Sequence, residues 1–129
     1  MLKLVEETAL IVTDDTESTR KIAEAIAAKL KNYKVVSTTA KDFAGTDLLA
    51  ASLCFFGAEN SEPASFSYIF KMLQHINLTG RPCGIFSGSK KTAEYLKKMV
   101  HDSGLALYTE PFLGEGDINT WVKKVISVR

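Results

Sequence analysis

The sequence contains few of the residues that build metal sites and disulfide bonds. Only two cysteines and two histidines occur among its 129 residues. Cys54 and Cys83 lie in separate apolar runs of strand length, and neither belongs to a zinc-binding pattern. We therefore predict two buried thiols, typical of a cytoplasmic protein, and no metal site.

An excess of charge of either sign is also missing. Sixteen lysines and arginines are balanced by 15 acidic residues, so the net charge is +1. Proteins built mainly to bind nucleic acid or an anionic membrane usually carry a basic excess, which argues against both classes. No apolar run reaches the length of a transmembrane helix, and residues 1–7 place acids where a signal peptide has its apolar region. We expect a cytoplasmic protein that binds neither nucleic acid nor membrane.

The sequence shows no catalytic constellation. Neither His75 nor His101 belongs to a pattern that would pair a nucleophile with its base. We therefore predict that the protein is not an enzyme.

What the chain does contain is a regular alternation of strand-like and helical segments. Five apolar runs have the length of strands: Thr8–Thr13, Tyr33–Ser37, Leu53–Gly57, Cys83–Phe86 and Leu105–Tyr108, the last interrupted at Pro111 and resumed at Phe112. Helical periodicity follows the runs, most clearly from Thr16 to Lys31 and from Thr92 to Asp102, and Pro63 is well placed to open a further helix. No repeat or linker divides the chain, so we predict a single domain over residues 1–129.

This alternation predicts fold class α/β, with a five-stranded parallel sheet between two layers of helices. Strands buried on both faces read as apolar runs rather than as alternations, and right-handed crossovers reduce the topologies to a three-layer doubly wound domain. Ligands of such domains lie beyond the carboxyl ends of the strands. The candidate ligand loops therefore span residues 13–19, 57–63, 87–92 and 109–117.

Two stretches of the chain resemble the flavodoxins. They are "SLCFFGAENSEP" and "FSYIFKMLQHINLTGRPCGIFSGS", and "TRKIAEAIAAKL" resembles the helix that follows the family's phosphate loop. The positions that match the family layout are Gly57, Phe66, Phe70, Leu73, Gly80, Arg81, Phe86 and Ser87. The resemblance implies the strand order 2-1-3-4-5 and FMN as the candidate cofactor. It also implies relationship to electron carriers, whose flavin does the chemistry.

The resemblance implies three loops that would contact FMN. The phosphate would lie on Thr13, Asp14, Asp15, Thr16, Ser18 and Thr19, and the ring would be flanked by Ala58, Glu59 and Asn60 and by Ser87, Gly88 and Ser89. The family's ring loops supply large apolar or aromatic side chains, whereas residues 58–62 and 88–92 of this chain contain none. The nearest aromatic is Tyr95, which its position assigns to a helix.

The first of these loops departs from the family pattern in its charge. Flavodoxin phosphate loops read Ser/Thr-x-Thr-Gly-x-Thr, whereas Asp14 replaces the first hydroxyl residue here and Glu17 replaces the glycine. One carboxylate about 5 Å from a phosphate repels it by roughly 3 kcal/mol in surroundings of intermediate dielectric. Acids are also common in the first turn of a helix, and Asp14 and Glu17 have the spacing of a capping box. We hypothesise that a carboxylate takes the place of the phosphate; the alternative is a phosphate bridged by a metal ion.

The sequence therefore predicts a flavodoxin-like protein that binds FMN weakly or not at all and acts through a redox or regulatory protein partner. The alternative is a functional FMN-binding flavodoxin. A third interpretation rests on "LIVTDD" and "YTEPF", which resemble receiver domains of response regulators. In that comparison Phe56 and Gly57 stand where the phospho-acceptor aspartate is needed, and Glu110 stands where the lysine before the late proline is needed. It would be a degenerate signalling domain.

Overall fold

A computed structural model describes residues 7–60 and 64–128. Its strands are β1 (Glu7–Thr13), β2 (Tyr33–Thr39), β3 (Leu53–Ala58), β4 (Pro82–Ser87) and β5 (Ala106–Leu107). Its α-helices are α1 (Glu17–Lys29), α2 (Gly45–Ala50), α3 (Ser67–Leu73), α4 (Lys90–Val100) and α5 (Ile118–Ile126). The expected helix start at Pro63 and the N-terminal residues 1–6 lie outside the described residues.

The described strands form one parallel sheet in the order β2-β1-β3-β4-β5. This order confirms the predicted doubly wound class and the topology that the resemblance implied. The register pairs Thr13 with Gly57 and Ala58 with Ser87, so β1, β3 and β4 end side by side. The loops that follow these strands therefore meet at one edge of the sheet, where doubly wound domains bind ligands.

The sheet separates two hydrophobic clusters, one on each face. Along β1, Leu10 and Val12 belong to the cluster beneath α3 and α4, whereas Ala9 and Ile11 belong to the cluster beneath α1 and α5. All four side chains are fully buried. Burial on both faces is the physical reason that the central strands read as unbroken apolar runs.

The structure moves several predicted element boundaries, among them the start of α4 and the extent of the fifth strand. Helix α4 begins at Lys90 rather than Thr92, because the hydroxyl of Ser89 accepts the backbone N–H of Thr92 and caps the helix. Strand β5 is only two residues long, and the chain rejoins the sheet through a bridge between Phe86 and Phe112. The predicted interruption of the fifth strand is thus confirmed.

The two cysteines are directly opposite each other in the sheet. Cys54 of β3 pairs with Cys83 of β4, and both are free, fully buried thiols. Burial raises the pKa of Cys54 to about 12 and raises the pKa of Cys83 well above its usual value. The prediction of buried thiols is confirmed, and their burial disfavours the reactive thiolate.

The described residues offer neither a membrane span nor a metal cluster. None of the helices in this part of the chain is both long and apolar enough to cross a membrane. Across residues 7–60 and 64–128, histidine, cysteine and acidic side chains form no group that could hold a metal ion.

Candidate functional site

The candidate site lies at the carboxyl ends of β1, β3 and β4. The loop after β1 leads into α1, and the loop after β4 leads into α4. Thr13, Ala58 and Ser87, which end the three strands, are all buried. The predicted residues of the loop after β1 (13–19) and of the loop after β4 (87–92) therefore lie at one edge of the sheet, with Glu59 between them. We call this edge of the sheet the crevice.

The Asp14 carboxylate points into the N-terminus of α1 rather than into solvent. Its Oδ1 accepts the hydroxyls of Thr16 and Thr19, each at 2.9 Å, and the backbone N–H of Thr16 at 3.3 Å. The two hydroxyl oxygens are 2.8 Å apart, and Thr19 is fully buried. The second oxygen, Oδ2, accepts the backbone N–H of Glu59 at 2.8 Å. The hydroxyls that the resemblance assigned to a phosphate are thus hydrogen-bonded to a carboxylate of the chain itself.

We call the hydroxyls of Thr16 and Thr19 at the N-terminus of α1 the cradle. Asp15 and Glu17 point away from it. The Asp15 side chain is exposed and lies 3.8 Å from Arg20, and Glu17 forms an exposed i,i+4 pair with Lys21 at 3.5 Å. Asp15 has a φ of 64°, in the left-handed region that aspartate tolerates better than most residues. The unusual backbone conformation of the loop is therefore at Asp15, two residues before the position that aligns with the family's glycine.

The predicted capping box is wrong. The N-cap of α1 is Thr16, not Asp14, and its side chain makes no capping hydrogen bond. Glu17 is the first residue of the helix. Asp14 lies too early in the chain to cap the helix directly, and its Oδ1 accepts the N–H of Thr16 in a local turn instead.

Glu59 connects the loop after β1 with the loop after β4. Its Oε2 accepts the hydroxyl of Ser18 at 3.0 Å, and its backbone N–H donates to Asp14. A Cβ atom at Gly88 would collide with the Glu59 carboxylate, so this carboxylate lies directly against the glycine backbone. The side chain therefore reaches from Ser18 of α1 to the loop after β4, and both Glu59 and the neighbouring Asn60 are exposed.

In the loop after β4, the hydroxyls of Ser87 and Ser89 form hydrogen bonds with neighbouring residues. The Ser87 hydroxyl accepts the backbone N–H of Ser89 at 3.2 Å, and the Ser89 hydroxyl donates to that of Thr92 at 3.1 Å. Thr92 is fully buried, and its hydroxyl lies 3.5 Å from the backbone carbonyl of Glu59. Thr92 ends the predicted ligand loop 87–92 but was not among the residues predicted to contact FMN, although the Ser-x-x-Thr spacing at a helix start was visible.

Comparison with known proteins agrees with this fold. The chain superposes on a short-chain flavodoxin associated with a non-canonical PDU bacterial microcompartment, with a TM-score of 0.78 and 15% identity over 95% of this chain and 97% of that chain. Flavodoxin 2 from Bacillus cereus gives a TM-score of 0.77 and 16% identity over 92% of this chain and 97% of its own. A mutant flavodoxin from Fusobacterium nucleatum, bound to flavin mononucleotide, gives 0.65 and 17% identity over 79% of this chain and 67% of its own.

No model of a known protein family and no curated protein sequence matches the chain. The fold is flavodoxin-like α/β, as the sequence resemblance implied.

Proposed function

We propose that this protein is a flavodoxin-like binding module that no longer carries out FMN-dependent electron transfer. The observation that carries the proposal is the Asp14 carboxylate, which accepts hydrogen bonds from both hydroxyls of the phosphate cradle. It acts through a redox or regulatory protein partner, with no catalytic step of its own.

The cradle cannot serve Asp14 and a phosphate at the same time. A hydroxyl group has one proton to donate, and the hydroxyls of Thr16 and Thr19 already lie 2.9 Å from Asp14 Oδ1 and 2.8 Å from each other. A phosphate would have to displace Asp14, which would also lose its bond from the Glu59 N–H. Hydrogen bonds to a charged group contribute about 1.5–3 kcal/mol each, so the displacement has a considerable cost.

The charge of the crevice also disfavours the binding of a phosphate. The helix dipole and the free N–H groups at the start of α1 favour an anion, and Asp14 already supplies one. A displaced Asp14 would stay within a few ångströms of the phosphate, where each carboxylate repels it by roughly 3 kcal/mol. Glu59 adds a second carboxylate beside Ser18.

The ring side of the crevice also supports the loss of flavin binding. The Glu59 carboxylate lies against Gly88, between the two loops that would flank the isoalloxazine ring. A planar apolar ring prefers aromatic or aliphatic neighbours, and this position offers it a charged group. The present positions of these side chains support the loss of FMN binding.

The alternative is a functional FMN-binding flavodoxin that transfers electrons. It is favoured by the retained hydroxyls of Thr16 and Thr19 at the start of α1 and by the fold shared with a flavodoxin that binds flavin mononucleotide. This alternative requires Asp14 and Glu59 to swing out of the crevice when FMN arrives.

Titration of purified protein with FMN, followed by flavin fluorescence, tests the proposal. We expect no quenching for the wild type, and a gain of binding for Asp14→Ser and more strongly for Asp14→Ser/Glu59→Ala. Glu17→Ser is the matched control, because it also removes one negative charge at the start of α1 but leaves the cradle filled.

Tight quenching by the wild type would contradict the proposal and establish the electron-carrier alternative. Equal gains for Asp14→Ser and Glu17→Ser would show that overall charge, rather than occupation of the cradle, excludes the phosphate. No binding by the double variant would show that these carboxylates are not what excludes FMN.

A further inference from the structure

A groove lies between α3 and α4, and its lining begins at Lys91, next to the loop after β4. Its volume is about 360 Å³, and its lining side chains are Phe70, Lys91, Glu94, Tyr95 and Lys98. Four of the five come from α4, at positions that share one face of the helix, because residues three, four and seven apart lie above one another. We call this surface the α3–α4 groove.

The floor of the groove is aromatic. The rings of Phe70 and Tyr95 have centroids 5.6 Å apart and planes inclined by 46°. Both side chains are partly buried and pack against the hydrophobic cluster beneath α3 and α4. The floor is therefore a rigid apolar surface that an aliphatic side chain from another molecule can cover.

Two lysines lie at the two ends of this floor. Lys91 and Lys98 are both exposed and, being seven residues apart on α4, are separated by roughly 10.5 Å along the helix axis. Within the described part of the chain, neither ammonium group belongs to an ion pair. The acid between them, Glu94, is directed to Lys97, with 3.2 Å between Oε2 and Nζ. The ends of the groove are thus positively charged and available to a partner.

We propose that the α3–α4 groove docks an amphipathic helix of an acidic protein partner. Two acidic residues seven positions apart on that helix would match the spacing of Lys91 and Lys98. Apolar residues at the intervening third and fourth positions would cover Phe70 and Tyr95, in the manner of helix-in-groove recognition. This inference deepens the proposed interaction role and rests on it, since it names the chemistry of the partner.

A protein helix fits the groove better than a nucleic acid does. Single-stranded nucleic acid is held by exposed aromatic faces on which bases stack, together with a continuous basic track. Here the two rings pack on each other and on the core, and Glu94 interrupts the lysines. The chain as a whole has a net charge of only +1.

The test uses a fluorescently labelled, acetylated helical peptide with two glutamates seven positions apart and two leucines between them. Its binding to the full chain is followed by fluorescence anisotropy, and the contact surface is mapped by amide chemical shifts. We expect saturable binding, shift changes concentrated around Lys91, Tyr95 and Lys98, and at least tenfold weaker binding by Lys91→Glu/Lys98→Glu.

The matched control is Lys123→Glu/Lys124→Glu, which changes the net charge equally on the exposed side of α5. This variant should bind like the wild type. A second peptide with lysines in place of its two glutamates should restore binding to Lys91→Glu/Lys98→Glu, which also shows that this variant is folded.

Equal binding of the glutamate peptide to the wild type and both variants would overturn the proposal, as would an absence of binding. Tighter binding of an oligothymidine of similar length would overturn it too, in favour of a nucleic-acid surface. The FMN titration of the same sample reports on the proposed function separately, because Asp14 and Glu59, whose substitution it tests, do not line the groove.

Discussion

At the scale of single residues, Gly57 shows how closely the end of β3 is packed. A Cβ atom at this position would overlap the ring of Phe86, which is itself fully buried. The register of the sheet places Gly57 beside Phe86, so the ring fills the space that a side chain would need. Glycine here is a packing requirement beneath the crevice.

We expect Gly57→Ala to lower the free energy of unfolding by about 1–3 kcal/mol, because the buried Phe86 ring must move to admit a methyl group. Urea denaturation measures the loss. Gly45→Ala is the control: its Cβ would meet only the flexible end of Met72, and alanine favours the helix. A loss for Gly57→Ala no larger than for Gly45→Ala would contradict this explanation.

Residue-level details were the hardest to predict from the sequence. The acidic first loop could be recognised, and so could a carboxylate in place of a phosphate as a hypothesis. Which acid turns inward could not, because Asp14 is held by Glu59, a residue 45 positions away. The left-handed conformation of Asp15 was equally hidden, since few residues adopt it and no glycine marked it.

At the scale of elements, Arg81 joins the start of β4 to the end of α2. Its Nη1 donates to the carbonyls of Leu49 at 2.9 Å and Ala51 at 2.8 Å. Helix α2 has only six residues, so the last carbonyls have few partners within the helix itself. The guanidinium supplies the missing donors and fixes the helix against the sheet.

We expect Arg81→Met to lower the free energy of unfolding by about 1–2 kcal/mol, because it keeps the apolar stem and removes the donors. Thermal denaturation followed by circular dichroism measures the change. Arg20→Met should change stability by less than about 0.5 kcal/mol, because its ion pair with Asp15 is exposed. Equal effects of the two substitutions would show that the α2 carbonyls are satisfied by water without Arg81.

The sequence predicted the secondary-structure elements best. The central strands are apolar because both of their faces are buried, and the resulting unbroken apolar runs can be recognised in the sequence. Boundaries were less predictable: α4 starts two residues earlier than its apolar periodicity indicated, because Ser89 caps it. A cap depends on one hydroxyl, whereas a helical pattern is formed by many residues, so the start of a helix is harder to predict than the helix itself.

At the scale of the whole molecule, the buried thiols link stability to pH. In the unfolded chain, the thiols ionise near the ordinary cysteine pKa of 9.0, whereas the folded Cys54 has a pKa of about 12. The folded state therefore binds more protons than the unfolded state in this range. The stabilisation is complete below pH 9 and is lost as pH rises toward 12.

We expect the free energy of unfolding to fall by up to about 1.4 kcal/mol per pH unit for each thiol above pH 9. Urea denaturation at several pH values measures the slope. Cys54→Ala should reduce this slope by up to about 1.4 kcal/mol per pH unit, because one thiol no longer ionises. Cys54→Ala/Cys83→Ala should reduce it by about twice as much, and both variants start from a lower free energy of unfolding. An unchanged slope in the double variant would assign the alkaline loss to other groups.

The two edges of the sheet differ, and this difference bears on aggregation. Strand β5 pairs over only two residues and the chain rejoins β4 at Phe112, so that side presents a broken edge to another chain. Strand β2 pairs with β1 over all seven of its residues and is the outer strand on the opposite side. A long, regular edge is the usual template for strand addition, and Lys34, which is exposed within it, is the kind of charge that opposes such growth. Intermolecular sheet extension, if the protein is concentrated or partly unfolded, should therefore begin at β2.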